Sequence, residues 1–259
     1  MRLSVIITCY NAENTIARAI DSVLLFGVLD MEVIIVDDGS TDKSPEIIDS
    51  YKDKRIRKFL MTHYGMMETY LFAFGQIRGD YFTFCDCDDH WFCSVKKQLN
   101  EMKNHNFTVT RAITMRNGER EYMNKSIEEL QEGLTFDNLL RGQASIFAQT
   151  YMINTNKFRE IINFHNFLKF NVWDYPIVLR WIKHEPIKYL DMYTAYFTID
   201  GESVTNTNKR IKRLKYILGY HKIKWSFILK YGCKFSTITF ILYKFARDIY
   251  SVIFKRWNK

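Results

Sequence analysis

The sequence predicts an α/β fold: a central, mostly parallel mixed sheet flanked by helices, with basic amphipathic helices at the C-terminal end. Three observations carry this. Apolar runs of strand length alternate with helix-period segments through the first part of the chain, and several of those runs end in clustered carboxylates. In the C-terminal part, apolar positions recur at spacings of three and four with Lys and Arg between them.

The elements follow in order. Strand-like runs at Leu3 to Cys9, Glu32 to Val36, Ile56 to Met61 and Tyr81 to Cys85 alternate with helical patterns at Thr15 to Phe26, Ser44 to Tyr51, Met66 to Ile77 and Val95 to Met102. Such alternation implies parallel strands joined by right-handed crossovers, whose ligands bind beyond the carboxyl ends of the strands. Pro45 suits the first turn of its helix. Strict alternation is lost from about Asn117, where Asn117-Gly118 is a hairpin signal and the sheet is expected to become mixed. Helical patterns return at Thr155 to Phe167 and Asp174 to Lys183, followed by a strand at Lys188 to Ile199.

With 259 residues, 47% of them hydrophobic, the chain can bury one large core with an appendage, or two small ones. Five cysteines without regular spacing argue against a disulfide framework and for a reducing compartment. The first residues read as a strand and not as a signal peptide. Net charge is +8, yet residues 209 to 259 hold 14 of the 37 Lys and Arg against Asp248 alone. The tail therefore carries the basicity.

Asp37 and Asp38 close one apolar strand, and Asp86, Asp88 and Asp89 crowd after another. One carboxylate suffices to cap a following helix. Several gathered at strand ends repel one another and persist where a hard cation neutralises them and bridges to phosphate. Turn chemistry is the bland alternative for Asp37 to Ser40. Cys85, Cys87, His90 and Cys93 could be read as a zinc cluster, but they lack the Cys-x-x-Cys knuckle. An Asp-x-Asp phosphatase would carry its motif on the first strand, and a dinucleotide dehydrogenase would show Gly-x-Gly-x-x-Gly after it. Neither pattern is present.

Ser4-Val5-Ile6-Ile7-Thr8-Cys9-Tyr10-Asn11-Ala12-Glu13, then Val36-Asp37-Asp38-Gly39-Ser40, then Gly79-Asp80-Tyr81 leading to Asp86-Cys87-Asp88-Asp89, resembles the family 2 glycosyltransferases. The resemblance implies the GT-A-type nucleotide-diphospho-sugar transferase fold. It is strongest over residues 1–105, the nucleotide-binding half. Residues 106–208 would form the acceptor-side half of the catalytic domain, where Gln143, Ser145 and Gln149 are expected to help build the acceptor site. Residues 209–259 would be a basic helical tail. Carried onto this sequence, the resemblance implies nucleotide-binding roles for Thr8, Tyr10, Asn11, Glu13, Asp38 and Asp86. Tyr10 would stack on the base and Asp38 would accept a hydrogen bond from it.

Asp88, with Asp86, would hold Mn²⁺ or Mg²⁺. Trp173-Asp174-Tyr175-Pro176 resembles the segment carrying the catalytic base, Asp174, and Ser203-Val204-Thr205 resembles a closing loop. Asp89, His90 and Trp173 would be acceptor-side or supporting positions. The implied reaction moves a sugar from a nucleotide-sugar, a UDP-sugar favoured, to a glycan or lipid-linked glycan, with inversion, in bacterial surface polysaccharide or lipopolysaccharide synthesis. Arg180-Trp181 is preceded by Ile177 where processive synthases carry Gln, which argues for a non-processive enzyme. The alternative is an inactive nucleotide-sugar or glycan-binding subunit of a membrane-associated assembly.

In the tail, Ile211, Leu214, Leu218, His221, Trp225 and Ile228 form an apolar stripe with Lys between. Cations interrupt every apolar run before the roughly 20 residues that a spanning helix needs. The expected location is cytoplasmic, peripheral on the inner face of the cell membrane, with the stripe on an anionic surface. A helical cap or a homodimer interface is the competing use of that stripe. Nucleic acid ranks below these.

Overall fold

The computed structural model describes residues 1–116, 118–123, 125–144, 146–163, 172–198 and 210–254. In its first half, β1 (Leu3–Cys9), β2 (Met31–Asp37), β3 (Ile56–Leu60) and β4 (Tyr81–Phe84) alternate with α1 (Ile16–Phe26), α2 (Ser44–Ser50) and α3 (Met66–Gln76). All four strands run parallel, in the order β3-β2-β1-β4. A parallel sheet is covered on both faces, which explains why β1 and β2 read as continuous apolar runs. Successive residues serve opposite layers. Ile6, Ile34 and Val36 enter one core with Phe82 and Phe84, while Val5, Ile7, Val33 and Ile35 enter another with α1.

The second half supplies β5 (His90–Trp91), α4 (Lys96–Glu101), β6 (Phe107–Arg116), β7 (Glu119–Glu121), α5 (Ile127–Gly133) and α6 (Phe136–Arg141). These are followed by β8 (Met152–Asn154), α7 (Thr155–Ile161), α8 (Asp174–Trp181) and β9 (Lys188–Thr198). Strand order continues β4-β8-β6-β9-β5, with β8 antiparallel to both neighbours and β6 parallel to β9. The sheet is therefore mixed, as expected from Asn117 onward. Gly118, at φ 81°, lies between the antiparallel strands β6 and β7. Asn117, Ser145, the end of the Thr155 to Phe167 pattern, Ile199 and the Ser203 to Thr205 loop lie outside the described residues.

Two long helices end the described chain, α9 (Arg210–Tyr231) and α10 (Phe235–Phe254), joined through Gly232 at φ 69°. No helix among the described residues is long and apolar enough to cross a membrane. The expected α9 stripe is corrected in phase. Ile217, His221, Lys224, Phe227 and Ile228 are buried, whereas Leu218 is 47% exposed and Leu214 and Trp225 are half-buried. Two apolar stripes overlap on this helix. The one that complements α6 and α8 turns inward, with Tyr220 stacked on Tyr175 at 4.5 Å and the Lys183 ammonium 4.0 Å from the Phe136 ring centre, a ring that meets Tyr231 edge-on. Asp137 caps the start of α10, accepting from Lys234 N at 3.1 Å and from the Thr237 hydroxyl at 2.5 Å.

Glu32 shows how tightly the parallel half is specified. Its carboxylate lies 1% exposed within β2 and accepts from Ser4 Oγ at 2.6 Å, Arg57 at 2.7 Å and Arg78 N at 2.8 Å. Against the cost of burial, these partners hold its pKa below the usual carboxylate value. Glu32→Ala leaves the Arg57 guanidinium with only its Gln76 acceptors and removes the acceptor of Ser4 Oγ and Arg78 N. Urea unfolding is expected to report a loss of about 3 kcal/mol or more, and Glu32→Gln to recover part of it.

Candidate active site

A cavity of about 420 Å³ opens at the carboxyl ends of β1, β2 and β4. Of the residues expected from sequence, Thr8, Tyr10, Asp38, Asp86, Asp88 and Trp173 line it; His63, Thr69 and Tyr70 complete its wall. At one end Tyr10 is 47% exposed and stacks on His63, with ring centres 4.3 Å apart and planes 20° from parallel. The aromatic pair offers a planar surface suited to a nucleobase. Asp38 lies beneath it. Its carboxylate accepts from Tyr64 N at 2.9 Å and Gly65 N at 3.0 Å, and it lies 2.9 Å from His63 Nδ1. Asp38 therefore holds the loop between β3 and α3, where a base would be met. Gly39, at φ 69°, permits the approach: a Cβ there would lie 2.6 Å from His63 N.

Asn11 and Glu13 are not placed on the cavity wall. Asn11, at φ 49°, accepts from Thr41 N at 2.8 Å and donates its backbone N–H to Ser40 Oγ at 2.8 Å. Glu13 accepts from Lys43 N at 3.0 Å, and its N–H donates to Asp42 at 2.9 Å. These side chains clasp the β1–α1 loop to the β2–α2 loop. Asn11 Oδ1 and Glu13 Oε2 thus serve as acceptors for the neighbouring loop.

At the other end the Tyr70 hydroxyl donates to Asp86 Oδ1 at 2.7 Å. The Asp86 carboxyl is pushed up to about 7 by burial first, then by the Asp88 and Asp174 charges, with the Tyr70 bond opposing them. Asp88 is exposed to solvent at the mouth, and its backbone carbonyl accepts from Arg18 at 2.8 Å. Trp173 stacks on Tyr70 at 4.0 Å, which seats the first turn of α8 against the carboxylates. Asp174 opens that helix, half-buried, with Oδ1 accepting from Tyr175 N at 2.8 Å. Burial raises its pKa. Tyr70 and Arg18 carried no sequence signal, since aromatic and cationic residues on helices are ordinarily packing or solvated.

Asp89 turns away from the cavity. It is 2% exposed and accepts from Thr198 N at 2.8 Å and from the Gln149 amide, which ties the end of β9 to the acidic turn. His90 stacks on Tyr196 at 4.7 Å, outside the lining, and Gln143 is exposed. No group of three His, Cys, Asp or Glu poised for a metal exists among the described residues. The zinc reading finds no support in the thiols: Cys85 is directed at backbone carbonyls, and Cys93 lies 2.9 Å from Tyr193 O. Asp86 and Asp88 fit a hard divalent cation. They are oxygen donors crowded together with Arg18 as the nearby cation, and the rest of a coordination shell would come from diphosphate and water.

A parallel first half, a mixed second half and a cavity at the strand ends are the architecture of the GT-A class of glycosyltransferases. The sequence profile of Glycosyl transferase family 2 matches residues 4–162, more than half of the chain, and the chain belongs to that family. An uncharacterized glycosyltransferase of Haemophilus influenzae is 38% identical over 112 residues, covering 42% of this chain and 45% of that protein. The uncharacterized glycosyltransferase EpsJ of Bacillus subtilis is 34% identical over 106 residues, covering 40% and 31%. The matched region thus spans less than half of these relatives. Among solved structures, S. aureus TarS 1-349 in complex with UDP-GlcNAc superposes with a TM-score of 0.69 at 19% identity, covering 100% of this chain and 74% of that one.

Metal-free protein carries a stability cost in the Asp86 cluster, with a definite sign. A folded-state pKa raised above the unfolded value favours the fold at low pH, and that contribution is lost as pH rises through about 7. Asp86→Asn is expected to raise the melting temperature in EDTA, by little near pH 5 and by more near pH 8, as followed by calorimetry.

Proposed function

We propose that this chain transfers one sugar at a time from a nucleoside diphosphate sugar, a UDP-sugar favoured, to a hydroxyl of a glycan or lipid-linked glycan, with inversion at the anomeric carbon. The observation that carries this reading is the seating of Asp174 against Asp86 by the Trp173–Tyr70 stack. One carboxylate pair suited to a diphosphate-bound cation then sits beside one carboxylate suited to proton removal. The UDP-GlcNAc bound by the TarS structure supports a uridine donor.

In this mechanism Tyr10 and His63 receive the base, and Asp38 fixes the loop that presents His63. Asp86 and Asp88 would hold Mn²⁺ or Mg²⁺, which supplies charge neutralisation to the departing diphosphate. Asp174, its pKa raised by burial and its Oδ1 oriented by Tyr175 N, takes the proton from the acceptor hydroxyl as that oxygen attacks the anomeric carbon. The sugar–phosphate bond breaks on the opposite face, and the electron pair leaves with the nucleoside diphosphate. A single base and no protein nucleophile gives inversion. Asp89 and Gln149 brace the acceptor side from behind. The enzyme would act in surface polysaccharide synthesis at the cytoplasmic face of the cell membrane, on acceptors presented there.

Two measurements test the assignments. Asp88→Ala should abolish the metal-dependent part of UDP binding in calorimetry while the melting transition persists; equal affinity with and without EDTA in the parent protein would remove the metal role. Asp174→Asn should lower transfer by about 10²- to 10⁴-fold with donor affinity retained, as expected for loss of a general base. Near-normal transfer by that variant would place the base elsewhere.

A further inference from the structure

α10 buries one side and leaves the other apolar. Thr237, Ile241 and Val252 face inward, whereas Phe235 is 79% exposed, Leu242 51%, Tyr243 68% and Tyr250 60%. At 3.6 residues per turn these four exposed positions fall within an arc of about 100°. Leu229, 85% exposed at the end of α9, lies across the elbow at Gly232 from Phe235. Exposed cations accompany the patch along the chain, Lys230 and Lys234 at the elbow and Arg247 one turn after Tyr243, and α9 exposes Lys215 and Lys222. The segment's one acid, Asp248, pairs with Arg247 at 3.5 Å and lies 4.0 Å from the buried His221, so it offsets one of these cations and leaves the others unopposed within the segment.

We propose that the outer face of α10 and the elbow dock on the surface of an anionic bilayer, with Phe235, Leu229 and Leu242 entering the interfacial layer and the accompanying cations meeting the headgroups. The proposal rests on the reading of a membrane-presented acceptor given above, and it assigns the contact to α10 instead of the α9 stripe. Charge decides between occupants. A second copy would bring an equally basic surface against this one, whereas an anionic surface is complementary. Aliphatic and aromatic side chains exposed together beside cations suit a bilayer interface and offer little to a nucleic acid backbone.

The test is co-sedimentation of the full chain with phosphatidylglycerol-containing vesicles and with purely zwitterionic vesicles, beside UDP binding by calorimetry. The parent should bind the anionic vesicles at low salt and release at high salt. Phe235→Glu and Leu242→Glu, both at exposed positions, should each weaken partitioning by roughly tenfold or more. Leu25→Glu, at a 73%-exposed leucine of α1, should leave it unchanged. UDP affinity should be equal in all four proteins. Absent vesicle binding, or binding indifferent to both α10 variants, overturns the proposal. So does a dimer in light scattering, or retention of single-stranded RNA without vesicle binding, that Leu242→Glu dissolves. Vesicle binding without any UDP affinity would instead sink the glycosyltransferase reading and leave the docking face standing.

Discussion

Parallel register is the constraint from which the site follows. Cys9 pairs with Asp37 across β1 and β2, and Ile6 pairs with Phe84 across β1 and β4, so three strands deliver their carboxyl ends to one edge of the sheet. A slip of one residue in either ladder would exchange the residues that serve the two cores and shift Asp38 or Asp86 along the edge. The Glu32 bonds to Ser4 and Arg57 and the Asn11 and Glu13 clasp hold that register from the two ends of the strands.

Crowded carboxylates at this edge need a support that does not neutralise them. Tyr70 provides one: its hydroxyl steadies Asp86, and its ring carries Trp173, so the parallel half and the mixed half meet through a side-chain stack. Phe84 and Phe74 pack against the same indole and fix its position. The acidic cluster thereby stays electrostatically unsatisfied while remaining geometrically defined, a state suited to ligand-dependent stabilisation.

Much of this was legible in the sequence, for definite reasons. The strands of the parallel half are continuous apolar runs because both faces are buried, and their ends carry the carboxylates that chemistry needs. Length limited the rest. β5 and β8 have two and three residues, too few for any periodicity to register. Asn11 and Glu13 sit in a motif whose residue types suit a ligand and a loop clasp equally, and the clasp itself has no periodicity that a sequence could show. The α9 stripe was offset because Lys224 lies on the buried side, its stem packed and its ammonium 5.3 Å from the Tyr220 ring centre. A pattern rule that counts Lys as surface cannot find that face.

Tyr175 joins two structures that a domain boundary drawn near residue 208 treats as separate. Its backbone N–H orients Asp174, its hydroxyl donates to Leu139 O at 2.9 Å, and its ring stacks on Tyr220 of α9. The helical tail is therefore packed directly on the residue next to Asp174. The cap is thus not an exchangeable module: a chimera that grafts another tail onto this domain without an aromatic partner for Tyr175 would strip cover from the turn that aims Asp174. The tail and the turn that it covers would have to be inherited together.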